Sequence, residues 1–239
     1  PPSVPQRERM ASRAYSAAPD DPRPRDAGDT LQSPRMIARV LLDCLIQDLT
    51  RDGYVHSIDL FAALGSVGGF SCILAALDIA SAGQLRDGAD LVVVETKDGS
   101  RYYAGNLPNA FLLESHDSFL NLTYGAARQS GGLISQEMVM ETFRHVAATI
   151  GHPQFGISRL LEEHRPGDTP LIYVRRLWPK VAEILDRHLV PIRRRPLAIG
   201  MALELAFVSG KPPLDPSLAA RIVTECAVPM AKLDPRSIA

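Results

Sequence analysis

The chain has 239 residues, of which 46% are apolar and 22% charged, the balance of an ordinary globular protein. That excludes a wholly disordered, collagen-like or disulfide-scaffold chain, and a chain of this length buries a core without staples. The formal net charge is −1, so no global field recruits nucleic acid or acidic lipid, and neither is an expected partner.

Residues 1–33 are rich in Pro, Arg and Asp and poor in apolar side chains. Such a segment cannot bury enough surface to offset chain entropy and reads as a disordered arm. If translation begins at Met10, residues 1–9 are an upstream extension. Helical order is expected from Ser33-Pro34, a capping residue followed by proline at the first helical position. Ile37, Leu41, Cys44 and Leu45 continue that stripe. Ser57 starts a second helix through Leu64, and Phe70 to Ala80 forms a third, apolar all round.

Leu60 to Leu77 holds 18 residues without a charge, the lower limit for a membrane span. Gly65, Gly68 and Gly69 interrupt it, and no basic or aromatic belt flanks both ends. The expectation is a buried core helix, or two helices broken at the glycines, and no membrane insertion.

Leu91 to Thr96, the Asp98-Gly99 turn and Arg101 to Tyr103 form a β-hairpin. A third short strand is expected at Phe111 to Leu113. A lone hairpin is marginal in water, so it needs helices or another strand against it. From there helices are expected at His116 to Arg128, Ser135 to Ile150 and Ile157 to His164. Another starts at Thr169-Pro170, kinked or broken at Pro179. The last two run from Leu197 to Val208 and from Asp215-Pro216 to Ala227. The fold class is therefore α+β, predominantly α-helical, with one hairpin at about 91–103 on a bundle of roughly eight helices. Residues 34–239 read as a single helix-rich domain, with a weaker hinge near 151–153.

No motif fixes a reaction or substrate, and no cofactor or metal site is expected. Gly68-Gly69-Phe70-Ser71-Cys72 offers two nucleophiles near a helix start, for which His116 could act as base. The same residues also suit plain packing, with glycine admitting a neighbouring helix and Cys72 filling the core. Glu114 to Asp117 reads as a turn with Asp117 as helix cap. Glu137, Glu141 and His145 share one helical face without the spacing of a metal motif. Arg175, Arg176, Lys180, Arg187, Arg193, Arg194 and Arg195 face only Glu183 and Asp186 in their stretch. They could hold phosphate or nucleic acid through guanidinium contacts, or pair with carboxylates of the same fold. Glu204 is the single charge on an apolar helix and needs a partner.

Cys44, Cys72 and Cys226 are an odd, widely spaced set among apolar neighbours, which suits a reducing compartment. The leading expectation is a soluble cytoplasmic protein that works by association, as a homo-oligomer or with a protein partner, rather than as an enzyme. The alternatives are a thiol- or serine-dependent hydrolase or transferase using Cys72 or Ser71 with His116, and an anion or nucleic-acid binder using the arginines from Arg175 to Arg195.

Overall fold

Helix starts follow their local signals closely. The computed structural model describes residues 34–209 and 214–238, so the expected arm lies outside the described residues. Helix α1 is Pro34–Leu49 and α2 is Ser57–Ser81. The hairpin strands β1 and β2 are Val92–Glu95 and Arg101–Ala104. A one-turn helix α3, Asn106–Asn109, runs into a π-helical turn, Ala110–Glu114. Then come α4 (Phe119–Gln129), α5 (Gln136–Thr149), α6 (Pro170–Arg187), α7 (Arg195–Ser209) and α8 (Pro216–Met230). Side chains of Ser135, Thr169 and Asp215 accept from backbone N–H groups in the first turns of α5, α6 and α8, so each cap satisfies a donor the helix leaves orphaned. The fold is α+β and predominantly helical, with a two-stranded antiparallel sheet.

Helix α2 is the centre. It packs against α8, α6 and α7, while α1 covers α7 and α5 covers α8. Among the described residues it is the one helix long and apolar enough to cross a membrane, and 89% of its most apolar stretch is buried inside the protein. The surface it would offer to lipid is already covered by its neighbours. Helix α7 likewise turns Ala198, Ile199, Ala202 and Leu203 inward.

The glycines do not break α2, which corrects one of the two readings of that segment. They are points of close approach. A Cβ on Gly69 would lie 2.1 Å from the Ala227 carbonyl oxygen of α8, and one on Gly65 would lie 2.8 Å from that of Val223. A Cβ on Gly68 would enter the Phe119 ring at 2.2 Å. The helix interior tolerates glycine because close packing returns more than the roughly 1 kcal/mol of lost propensity at each position.

Other expectations are corrected too. Phe111 to Leu113 is helical, part of the π turn, because Leu112 is carried inward from a helix that packs on α2 and α4. Ile157 to His164 holds a single 3-10 turn at Glu162–His164, since Gly156 and Pro166 leave too little chain to repay nucleation. Pro179 does not break α6, one of the two outcomes expected there: Tyr173, Val174 and Leu177 before it and Val181 and Leu185 after it form one buried stripe, and that packing outweighs the missing hydrogen bond. Helix α8 extends to Met230 through Pro229 for the same reason. Ser118, not Asp117, occupies the N-cap position of α4.

The hairpin aligns Val92 with Ala104 and Glu95 with Arg101. Its second strand has a further partner within the same chain. The Tyr103 N–H donates to the Lys232 carbonyl at 2.7 Å, and Tyr102 bridges Leu233. The residues after α8 thus cover the outer edge of β2.

Candidate functional site

The segment that closes the sheet also delivers a buried amine. Lys232 follows the last turn of α8; its N–H donates to the Pro229 carbonyl at 3.0 Å and its own carbonyl is held by Tyr103. With the backbone fixed on both sides, the side chain is only 8% exposed. Its Nζ donates to Asn109 Oδ1 at 2.6 Å and lies 6.0 Å from the centre of the Phe143 ring.

Asn109 is placed by a chain of local constraints. The loop before β1 is tied by Asp90, a buried carboxylate that accepts from the Arg86 backbone N–H and guanidinium. Those bonds hold Asp90 ionised below the usual carboxylate range. The carbonyls of Ala89 and Asp90 then accept from Asn106 and Leu107 at 2.9 Å, starting α3. Gly105 makes the corner at φ +115°, and a Cβ there would sit 2.6 Å from the Ala89 oxygen, so glycine is required twice over. The π turn that follows Asn109 is the kind of local widening frequent at functional positions.

Lys232 and Asn109 open onto a cavity of about 330 Å³ between the β2–α3 corner, α5 and the end of α8. Phe143, Val146, Ile150 and Val228 form its apolar wall. Its lining includes two cations, Lys232 and the exposed Arg144, and no carboxylate. Lys232 has no ion-pair partner among the described residues. Burial lowers its pKa from the ordinary 10.5 to about 8; Glu114 at the end of the π turn acts in the opposite sense without restoring it. A buried ammonium lacking a counter-ion costs stability. At neutral pH the amine is therefore mostly charged, with a neutral fraction of about one in ten, far above that of an ordinary lysine.

A larger cleft of about 810 Å³ lies beyond Leu233, between the hairpin, residues 152–157 and the C-terminal turn. Its charges are already used: Arg101 pairs with Glu95 and Arg236 with Asp234. His152 Nδ1 accepts from the Gln154 N–H. A third cavity, of about 550 Å³, holds Glu204, whose carboxyl is pushed up by burial and partly offset by Arg35.

The sequence-derived candidates fall elsewhere. Cys72 is fully buried, its thiol donates to the Gly68 carbonyl at 3.3 Å, and burial pushes its pKa well up, so it is a thiol and not a thiolate at neutral pH. Ser71 is buried and donates to the same carbonyl at 2.6 Å. The His116 side chain is 99% exposed, with Nδ1 2.8 Å from Asp117. No hydrogen bond among the described residues joins His116 to Ser71 or Cys72, and their burial sets them in opposite environments.

The arginines are largely self-neutralised. Arg175 donates to the Ser237 carbonyl at 2.8 Å, Arg176 pairs with Asp168 at 2.8 Å, and Arg193 pairs with Asp78 at 2.6 Å and with Gln84. Arg195 pairs with Asp186, Lys180 with Asp48 and Arg187 with Glu183. Arg194 is exposed and has no ion pair among the described residues. Glu137 and Glu141 are exposed, and among the described residues no three His, Cys, Asp or Glu side chains gather as a metal site.

Sequence reasoning missed Lys232. The one available signal was a lone lysine inside the apolar run from Val228 to Leu233. No protein-family model, curated protein or solved structure matches the chain.

Proposed function

We propose that this chain binds a small apolar molecule through one oxygen acceptor, held at Lys232. The observation that carries the reading is the buried amine, which faces a cavity without a carboxylate and has only Asn109 as its partner among the described residues. Proteins keep such costly groups where function requires them. The cavity is at the small end of ligand pockets, which suits a body of roughly ten heavy atoms. The charged form of Lys232 receives a carboxylate, and Arg144 at the rim adds to the positive potential. The neutral form meets a carbonyl.

Benzoate is a suitable probe. At an ordinary ligand efficiency its binding free energy is about −5 kcal/mol, a Kd on the order of 0.1 mM. Titration calorimetry at pH 7 is expected to show one saturable site, lost in Lys232→Met and weakened at least tenfold at pH 10, where the amine is neutral. A folded wild-type protein that ignores millimolar benzoate, or a Lys232→Met variant that binds it equally, overturns the reading.

A second reading is association between copies, supported by the free edge of β1. That strand pairs only with β2 among the described residues, and Val92 and Val93 are exposed along it. An open edge of this kind is a template for a further strand. The three free cysteines favour a reducing compartment, such as the cytoplasm, for either activity.

A further inference from the structure

We propose that Lys232 condenses with a small aldehyde or ketone in this cavity and holds it as an imine. The inference rests on the reading of the cavity above and narrows it to carbonyl ligands that become covalently attached.

Three observations carry it. Among the described residues Lys232 Nζ has one hydrogen-bond partner, Asn109 Oδ1 at 2.6 Å, so the nitrogen has a fixed position but no carboxylate within ion-pair distance. Phe143, whose ring centre lies 6.0 Å from Nζ, and Val146, Ile150 and Val228 line the cavity beside it with apolar surface, which favours a neutral amine and the loss of water from an adduct. The chain has four lysines, and Lys232 differs from the other two in the described residues. Lys97 is exposed in the hairpin turn, and Lys180 is paired with Asp48, which raises its pKa. Lys211 lies outside the described residues.

The chemistry balances without a redox partner. The neutral nitrogen attacks the carbonyl carbon, a C–N bond forms, and the oxygen takes up a proton while the nitrogen releases one to solvent. The resulting hydroxyl takes up a proton from solvent and leaves as water as the nitrogen lone pair closes the C=N bond, giving a protonated imine that can return its N–H proton to solvent. When the imine is protonated its single N–H has an acceptor in place, Asn109 Oδ1. Asn109 is thus a positioning residue, and the neighbouring π turn and Gly105 corner set where it stands.

The test uses the full chain, benzaldehyde and sodium cyanoborohydride at pH 8, with peptide mapping by mass spectrometry. The cyanoborohydride supplies the hydride that converts an imine into a stable benzylamine. The expected result is one benzyl group per chain, on Lys232, formed on the order of tenfold or more faster than on Lys97. Benzoate is expected to slow this labelling, and Lys232→Arg, which keeps the charge, to abolish it. Labelling spread over Lys97, Lys180 and the amino terminus with Lys232 unmodified overturns the proposal. If benzoate binds at Lys232 and no adduct forms there, imine formation fails while the binding reading stands. If benzoate does not bind either, both fall.

Discussion

At the scale of single residues, Lys232 makes a claim about stability as well as binding. Its pKa in the folded chain is about 8, below the ordinary 10.5 of an exposed amine. Between those values the unfolded chain carries a proton that the folded chain has released, so stability rises with pH across that window. Below pH 8 the full penalty applies, on the order of 3 kcal/mol. Lys232→Met removes that penalty and loses the bond to Asn109, worth about 1 kcal/mol. The variant is therefore expected to be more stable than wild type by about 2 kcal/mol at pH 7, and less stable by about 1 kcal/mol above pH 10.5. Urea denaturation at the two pH values reads both signs. The lone lysine in an apolar run was a weak local signal, because its burial depends on Asn109, 123 positions away, and on β2, whose Tyr103 N–H holds the Lys232 carbonyl. The same blindness explains Ser71 and Cys72. Their proximity to glycines is visible in sequence, but whether they face a cavity or a neighbouring helix is set by α8, far along the chain.

Among the elements, local chemistry was a good guide where local chemistry decides. The caps at Ser135, Thr169 and Asp215 and the Asp98-Gly99 turn need only near neighbours, and each appears where the sequence puts it. Propensity rules failed where tertiary packing overrules them. Pro179 and Pro229 lie inside continuous helices, and the glycines of α2 are sites of contact. The glycine account separates two substitutions that look alike in sequence. Gly69→Ala forces a methyl group into the α8 backbone and is expected to cost about 1–3 kcal/mol, since backbone cannot give way as a flexible side chain can. Gly125→Ala, inside α4 with nothing within 4 Å of the new carbon, is expected to stabilise by about 0.5–1 kcal/mol. Thermal unfolding that shows both substitutions neutral, or their order reversed, contradicts the packing of α2 on α8.

Over the whole molecule, α8 joins the core to the candidate site. Its Glu225 is buried and accepts from Arg159 Nη2 at 2.8 Å, which pins the irregular segment between α5 and α6 to the helix. Asp59 of α2 accepts from the Tyr173 hydroxyl at 2.6 Å and from Gly167 N–H at 2.7 Å, fixing the far end of that segment. The end of α8 can therefore hold Lys232 against β2 and α3 on a rigid support. Apolar helices that looked in need of a partner are covered within the chain, which leaves the β1 edge as the feature that favours self-association. Light scattering at micromolar concentration is expected to show a dimer that a Val93→Lys substitution on that edge converts to monomer. A strict monomer in the wild type removes the association reading and leaves the Lys232 cavity untouched.

The central claim is that an amine is kept buried, with its charge weakened by burial, to meet a ligand oxygen. Nuclear magnetic resonance of the full chain with carbon- and nitrogen-labelled lysine follows each of the four lysines through a pH titration. One resonance, absent in Lys232→Arg, is expected to titrate near pH 8 in the free protein and to move upward when benzoate is added. All four titrating close to 10.5, with none moved by benzoate, would contradict the account.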